Sequence, residues 1–271
     1  MKITTKDNFT LITGACGGLG RAFVEACAEN GENLLLSGTN INRLMELNQI
    51  VNKRYPNIIT KIFKCDLANK DEREKFLNFI LENNVNVNRL INNAGVIIEG
   101  DMEKFSDEDI ENAIMVNCVG TVDLTKKILR IRDKSEKTEI LTISSLASNY
   151  AIPHMAVYSA TKAFLTSIML ALSYEYKNHN VVFSTVCPSG MNTTKEMKES
   201  IKSMGIGGKL SAVKIDKVVK CSLIGLKKRK KIIIPGGFNK LLNLASKPFS
   251  KSFLAKQTGK IYKKSQLKRK I

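Results

Sequence analysis

Residues 9–20 read Phe9-Thr10-Leu11-Ile12-Thr13-Gly14-Ala15-Cys16-Gly17-Gly18-Leu19-Gly20. The first five residues are apolar or β-branched and predict a short buried strand. The glycines after them predict a tight turn, and the helix-forming residues 21–30, closed by Gly31, predict a helix. A strand, a glycine turn and a helix in this order let backbone N–H groups face a pyrophosphate, because no Cβ blocks its approach. An ordinary tight turn is the alternative.

Six further apolar stretches alternate with helical patterns along the chain. With the first strand they cover residues 9–13, 33–37, 58–64, 87–91, 139–144, 181–187 and 231–234. This alternation predicts an α/β fold with a doubly wound (Rossmann) parallel sheet of about seven strands. No linker rich in Pro, Gly or Ser divides the 271 residues, so a single domain is expected. Ligands then bind beyond the carboxyl ends of the strands, near Gly14, Asn92, Ser145 and Pro188.

Tyr158 and Lys162 lie four residues apart and therefore share one face of a predicted helix. A nearby ammonium favours the phenolate and is expected to lower the pKa of the tyrosine. Such a pair suits proton exchange with a carbonyl oxygen. The same spacing also occurs in ordinary surface pairs.

Taken together, these features resemble the short-chain dehydrogenase/reductase family over about residues 7–235. The matching positions are Thr13-Gly14-x-x-x-Gly18-x-Gly20, Asp66, Asn92-Asn93-Ala94-Gly95, Asn117, Ser145, Tyr158 with Lys162, and Pro188 with Thr193. The resemblance implies an oxidoreductase that transfers a hydride between a nicotinamide dinucleotide and a ketone or secondary alcohol.

The resemblance also implies a role for each side chain of the site. Tyr158 would exchange a proton with the substrate oxygen, and Lys162 would lower the tyrosine pKa and bond to the nicotinamide ribose. Ser145 would polarise the substrate oxygen, and Asn117 would hold a water that links Lys162 to solvent. The alternatives are a strand-end cap for Ser145 and a bridge between backbone groups for Asn117.

Contacts to the dinucleotide are expected, by the same resemblance, from a larger set of residues. They are Gly14, Cys16, Gly17, Gly18, Leu19, Gly20, Thr39, Asn40, Arg43, Asp66, Leu67, Asn93, Ala94, Gly95, Tyr158, Lys162, Pro188, Ser189, Gly190 and Thr193. Ser189 departs from the family, which usually has glycine there. We expect the contact through Thr193 to survive this change.

The segment Ser37-Gly38-Thr39-Asn40 bears on the choice of dinucleotide. It holds no carboxylate to accept a hydrogen bond from the ribose 2′-hydroxyl of NAD, and Arg43 follows one helical turn later as a cation for a phosphate. NADP(H) is therefore favoured. NAD(H) stays open, because relatives that prefer NADP often place an arginine near position 39, where this chain has threonine.

Residues 194–211 are expected to select the substrate. Met197, Ile201 and Met204 form an apolar stripe there, which predicts a mobile lid over an apolar substrate or simple packing on the domain. Fatty 3-oxoacyl thioesters, hydroxysteroids and other apolar ketones all suit the family, and the motifs do not rank them. His154, close to Tyr158 in sequence, is expected to be a loop histidine rather than a pocket residue.

Cysteine and histidine usage argues against a metal site. The six cysteines show no Cys-x-x-Cys spacing, and the chain has two histidines. We expect the cysteines to be small buried side chains in a reducing compartment. Residues 1–8 do not fit a signal peptide and no run approaches eighteen apolar residues, so a cytoplasmic protein without a membrane span is expected.

Basic residues are concentrated near the C-terminus. The chain has 43 Lys+Arg and 25 Asp+Glu, and residues 217–271 hold 17 of these bases and no acid. The pattern predicts a catalytic domain over residues 1–235 and a basic amphipathic extension over residues 236–271, interrupted near Pro248. Three roles are open for the extension: packing over the substrate pocket with its lysines in water, peripheral contact with an anionic membrane and, least favoured, contact with nucleic acid.

Two expectations concern partners and the class of function. The family commonly forms dimers or tetramers through two long helices, here residues 107–132 and 156–178, so a homodimer or homotetramer is expected. A nucleotide-binding sensor or scaffold, held at a membrane surface by the basic tail, is the alternative to an enzyme. The presence of Ser145, Tyr158 and Lys162 together favours the enzyme, because a pure binder needs no such set.

Overall fold

The computed structural model describes residues 7–191 and 210–269. Its strands are β1 Asn8–Thr13, β2 Asn33–Gly38, β3 Thr60–Lys64, β4 Asn86–Asn92, β5 Thr138–Ile143, β6 Val181–Val186 and β7 Ile232–Ile233. They form one parallel sheet in the order β3-β2-β1-β4-β5-β6-β7. The strand order changes direction between β1 and β4, which is where doubly wound sheets bind ligands. The predicted single α/β domain with seven parallel strands is confirmed.

Helices cover both faces of the sheet. They are α1 Gly18–Glu29, α2 Ile41–Arg54, α3 Lys70–Glu82, α4 Asp107–Ile114, α5 Thr121–Ile131, α6 Ala156–Glu175, α7 Ile215–Lys227, α8 Gly237–Ser246 and α9 Lys251–Arg269. A π-helical turn, Met115–Gly120, joins α4 to α5. Helices therefore connect the successive parallel strands, as in βαβ units.

Two apolar cores, one on each face of the sheet, hold the layers together. Leu11 and Ile12 of β1 are both fully buried but contribute to different cores, as the alternation of side chains along a strand requires. Phe23 of α1 fills one core and Phe76 of α3 fills the other. Burial of such a side chain stabilises the fold by about 1.5–3 kcal/mol.

The predicted strand boundaries agree with the observed ones to within two residues, and β3 and β7 are shortened most. β3 begins at Thr60 rather than at residue 58, because the N–H of Ile58 bonds instead to the carbonyl of Tyr55 in a turn (3.3 Å). β7 spans two residues rather than four, because it is an edge strand that follows a left-handed turn at Arg229 (φ +53°). Neither change moves a residue of the site.

The C-terminal extension forms two helices with a break near Pro248, as predicted. α8 ends at Ser246 and α9 starts at Lys251. Both helices lie against the carboxyl end of the sheet, where Thr258 of α9 donates to the carbonyl of Ala151 (3.4 Å). The two C-terminal helices are therefore packed against the rest of the fold.

Other expectations have mixed outcomes. The six cysteines are free, four buried and two half-buried. No cluster of His, Cys, Asp and Glu suited to a metal ion occurs among residues 7–191 and 210–269.

Among the same described residues, α6 has the length and hydropathy of a membrane-spanning helix, but it packs on the sheet with Leu165 and Met169 buried. Residues 192–209, with Thr193 and the expected lid, lie outside the described residues.

Candidate active site

The turn after β1 forms a narrow backbone cradle. Gly14 has a φ of +62°, and a Cβ on it would lie 2.9 Å from the Cα of Ala94. A Cβ on Gly20 would lie 2.2 Å from the carbonyl oxygen of Gly14, far inside van der Waals contact. Gly17 precedes α1 without any side-chain cap, so the first N–H groups of the helix stay available to an anion.

The end of β4 supports this cradle through hydrogen bonds. The amide of Asn93 donates to the carbonyls of Thr13 and Gly14, both at 3.0 Å. In return, the hydroxyl oxygen of Thr13 accepts from the backbone N–H groups of Asn93 and Ala94, both at 3.1 Å. These bonds fix the glycine turn against the neighbouring strand.

Tyr158 and Lys162 lie in the first two turns of α6, next to the end of β5. Lys162 is buried, its Nζ donates to the carbonyl of Ile143 (2.9 Å), and it lies 5.8 Å from the centre of the Tyr158 ring. Ser145 follows β5 and hydrogen-bonds to the Tyr158 side chain. Its hydroxyl also accepts from the N–H of Ala147 (3.1 Å), so it caps the short 3₁₀ turn Leu146–Asn149 that follows the strand.

Burial shifts the pKa values of the two central groups in opposite directions. It raises the pKa of Tyr158, and the hydrogen bond with Ser145 opposes that rise. It lowers the pKa of Lys162 to about 8. We expected Lys162 to lower the pKa of Tyr158, and this is wrong for the described arrangement, in which burial of the phenol dominates. Lys162 is therefore the easier of the two to deprotonate.

Asn117 occupies the π-helical turn between α4 and α5. Its side chain exchanges two hydrogen bonds with the backbone of Val96 (2.8 and 2.9 Å) and donates to the hydroxyl of Thr161 (3.1 Å). A Cβ on Gly95 would lie 3.2 Å from both Asn117 Oδ1 and Lys162 Nζ, so the two side chains meet at this glycine. Such π turns often occur at functional sites.

A cavity of about 630 Å³ connects the glycine turn with Ser145, Tyr158 and Lys162. One end is lined by backbone and polar groups of the turn and of Thr39, Asn40 and Arg43. The other end is mostly apolar, and its lining includes Ile97, Leu146, Ile152, Met155, Met191 and Leu242. The cavity is thus divided into a part suited to a phosphate-bearing ligand and a part suited to an apolar one.

Residues 8–204 match the family model described as short chain dehydrogenase. The chain belongs to the short-chain dehydrogenase family. The matched residues include the strand, the glycine turn and the residues that converge on the cavity.

Three relatives illustrate the similarity. The very-long-chain 3-oxoacyl-CoA reductase of Neurospora crassa is 31% identical over 66% of this chain and 55% of its own length. The 3-oxoacyl-(acyl-carrier-protein) reductase of Rickettsia conorii is 28% identical over 66% of this chain and 70% of its own length. A short-chain dehydrogenase of Sphingobium yanoikuyae, solved with NADPH, superposes with a TM-score of 0.75 at 24% identity over 89% of this chain and 94% of that one.

The length of the curated relatives limits what they imply. This chain spans only 53% to 63% of the length of the very-long-chain 3-oxoacyl-CoA reductases that it matches. The family assignment itself does not depend on them, because the family model covers most of this chain.

Most of the residues that the sequence predicts for a short-chain dehydrogenase site line the cavity. They are Gly14, Cys16, Gly17, Gly18, Leu19, Gly20, Thr39, Asn40, Arg43, Asn93, Ala94, Gly95, Ser145, Tyr158, Lys162, Pro188, Ser189 and Gly190. Asp66, Leu67 and Asn117 are not in its lining. The carboxylate of Asp66 accepts from the N–H of Ala68 (2.9 Å), and Leu67 is buried against Gly120.

Sequence reasoning missed several residues near the site. Leu242 of the extension lines the cavity, and its place in the amphipathic pattern of residues 238–253 was the available signal. Asn239, on the same helix, is buried and donates to the hydroxyl of Ser189 (2.8 Å) and the carbonyl of Ser211 (2.9 Å). Nothing in the local sequence singles out Asn239. His154, expected in a loop, stacks on Tyr262 of α9 with ring centres 4.5 Å apart.

Proposed function

We propose that the chain is an NADPH-dependent carbonyl reductase whose substrates are apolar ketones, 3-oxoacyl thioesters foremost. The observation that carries the proposal is the convergence of Ser145, Tyr158 and Lys162 on the cavity that also holds the glycine turn. A proton donor, a polarising hydroxyl and a dinucleotide cradle are the parts that carbonyl reduction needs.

The residues of the cradle fit a dinucleotide. The glycine turn has no room for a Cβ at Gly14 and Gly20, and it would hold the pyrophosphate against the N-terminus of α1. Arg43 Nη2 donates to the carbonyl of Cys16 (3.3 Å), which holds its guanidinium beside the turn. Thr39, Asn40 and Arg43 would bind a ribose 2′-phosphate, and the absence of a carboxylate among residues 37–40 supports NADP(H) over NAD(H).

The side chains around Tyr158 supply the proton chemistry. When bound, the dinucleotide supplies the hydride for the carbonyl carbon. Tyr158 donates its phenolic proton to the carbonyl oxygen while the hydroxyl of Ser145 holds that oxygen in place. Lys162, with a pKa of about 8, replaces the proton of Tyr158 from solvent. In the oxidative direction the same residues move the proton the opposite way.

The apolar end of the cavity supports a substrate with a long hydrocarbon part. The names of the relatives from Neurospora crassa and Rickettsia conorii favour 3-oxoacyl thioesters over steroids. The rate of NADPH oxidation tests the identity of the substrate. The compounds to compare are 3-oxoacyl-CoA esters of increasing chain length, a ketosteroid and a small aliphatic ketone. We expect kcat/KM to rise with acyl length and to be higher with NADPH than with NADH. Cofactor binding without turnover of any ketone would favour the sensor or scaffold.

Two proposals concern organisation. Residues 1–235 act as the catalytic domain and residues 236–271 as a basic extension. The chain forms a homodimer or homotetramer through α4, α5 and α6, because α6 leaves the large side chains of Phe164 and Tyr174 exposed. Light scattering should show a mass of two or four chains, and Phe164→Glu should lower it. The matched change Leu81→Glu on α3, also at an exposed leucine, should leave the mass unchanged.

A further inference from the structure

The orientation of α8 is the reverse of an ordinary surface helix. Its protein-facing side is polar: Asn239 is buried and bonds to Ser189, Asn243 accepts from the amide of Asn149 (3.0 Å), and Ser246 bonds to the hydroxyl of Tyr150 (3.2 Å). Surface helices normally bury their apolar side and expose their polar side. In α8 the hydrogen-bonding side is inside, so the apolar side is left for another partner.

The outward side of α8 and the start of α9 form an apolar surface. It consists of Phe238, Leu241, Leu242, Leu244, Phe249 and Phe253, which are between 41% and 64% exposed. Phe249 and Phe253 stack across the break between the helices, with ring centres 4.9 Å apart. We call these six residues the outer face. A contiguous apolar patch of this kind on a soluble domain marks an interaction site.

Lysines flank the outer face, and the two helices that form it carry no acid of their own. The exposed lysines are Lys240 of α8, Lys247 directly after it, and Lys251, Lys256 and Lys260 of α9. Residues 217–271 contain no Asp or Glu at all. The partner must therefore accept aromatic and leucine side chains at its centre and a ring of positive charge at its edge.

The outer face also reaches the mouth of the substrate cavity. Leu242 belongs to the outer face and also lines the cavity. α9 continues past the mouth, where Tyr262 is buried against His154 and a Cβ on Gly259 would touch the ring of Pro153 at 3.0 Å. A partner that covers the outer face would therefore lie next to the entrance.

We propose that the outer face docks on an anionic lipid bilayer and holds the cavity mouth at the lipid surface. Phenylalanine and leucine enter the boundary between headgroups and acyl chains, and the lysines bind anionic headgroups. A second copy of the chain is a poor occupant, because the helices of both faces would bring lysines and no acid to the contact, and the lysines repel each other. Nucleic acid would use the lysines and leave the apolar centre in water.

This proposal deepens the proposed function, since a ketone with a long acyl chain partitions into bilayers and would enter the cavity from there. The docking itself needs neither cofactor nor substrate. An inactive protein that still binds vesicles, or an active protein that does not, therefore separates the failure of one proposal from the failure of the other.

The test is sedimentation of the full chain with vesicles of phosphatidylcholine, with and without phosphatidylserine. We expect binding to the phosphatidylserine vesicles only, and weaker binding as salt is raised. The double variant Leu241→Gln, Leu244→Gln should bind at least about tenfold more weakly, because it removes two apolar side chains from the centre of the outer face. The double variant Lys240→Gln, Lys247→Gln should weaken binding to the same vesicles through the loss of charge.

A matched control is the double variant Met45→Gln, Ile50→Gln on α2, whose side chains are 49% and 54% exposed outside the extension. It should bind vesicles like the unmodified chain. Equal binding of the leucine variant and the unmodified chain would overturn the proposal. It would also be overturned if no vesicles bound while the leucine variant broke up a larger oligomer, or if the chain bound RNA whether or not the leucines were present.

Discussion

The glycine turn and the C-terminal extension meet at one cavity but are built in opposite ways. In the turn, backbone atoms lie so close together that a single Cβ does not fit at Gly20. In the extension, polar side chains of α8 bond to the domain and the apolar side chains point outward. The glycine turn depends on the absence of side chains at positions such as Gly20. The extension depends on which side of α8 faces the domain. Single substitutions should therefore affect the two regions very differently.

The largest difference is expected at Tyr158, because it lies on the turn side of the cavity and is the proposed proton donor. Tyr158→Phe keeps the ring and removes the proton, so kcat/KM for NADPH oxidation should fall at least about 1,000-fold. NADPH binding, followed by fluorescence, should change little. Tyr174→Phe, at an exposed position of the same helix, is the control and should keep its activity. Residual turnover above a few percent in Tyr158→Phe would remove the tyrosine from its proposed role.

A matched pair of glycines compares the two regions directly. Gly20→Ala places a methyl 2.2 Å from the carbonyl of Gly14, so NADPH affinity should fall at least about tenfold and stability by about 1–3 kcal/mol. Gly237→Ala at the start of α8 meets no atom within 4 Å and should leave both quantities nearly unchanged. Fluorescence titration and urea unfolding measure the two effects. Similar losses for both variants would contradict the contrast between the regions.

The buried ammonium of Lys162 gives the turn side a pH dependence. Its pKa is about 8 when folded and 10.5 when unfolded, so between these values the unfolded chain binds one more proton than the folded chain. The free energy of unfolding of the unmodified chain should therefore rise with pH relative to Lys162→Met. Between pH 8 and pH 9.5 the relative gain should be about 2 kcal/mol. Urea titrations at several pH values measure it, and a flat difference would show that Lys162 is not desolvated.

The smallest effect concerns the attachment of α8. Asn239 donates to Ser189 and to the carbonyls of Ser211 and Pro235, so Asn239→Ala should cost about 1.5 kcal/mol of stability. Asn243→Ala removes one bond at a half-buried position and should cost about 0.5 kcal/mol. Thermal unfolding compares them. Equal costs would mean that α8 is held by its ends rather than by its polar side.

Much of the catalytic half could be read from the sequence, because its signals are local. A strand, a glycine turn and a helix are contiguous in sequence, and Tyr158 and Lys162 are one helical turn apart. The direction of the Tyr158 pKa shift could not be read in this way, because burial depends on residues distant in sequence. The π turn at Asn117 could not be read either, and the hydrogen bond between its side chain and Val96 joins residues 21 positions apart.

The extension shows what the spacing of apolar residues in a sequence does not determine. The spacing of Phe238, Leu241 and Leu242 predicts an amphipathic helix but does not tell which side faces the protein. Asn239 and Asn243 set the orientation, because their hydrogen-bond partners Ser189 and Asn149 lie on the domain. Ser189 and Asn149 lie next to Asn239 and Asn243 only in the folded chain, because they are distant from them in sequence.

The bond between Asn239 and Ser189 has a mechanical consequence. α8 carries the outward leucines, and Asn239 on that helix bonds to Ser189, which lies directly beside Pro188 in the cavity lining. A shift of α8 would therefore act on the cavity lining through the hydrogen bond from the Asn239 amide to Ser189. We therefore expect the turnover of this enzyme to change when α8 is covered, and the rate of NADPH oxidation with and without phosphatidylserine vesicles measures that change.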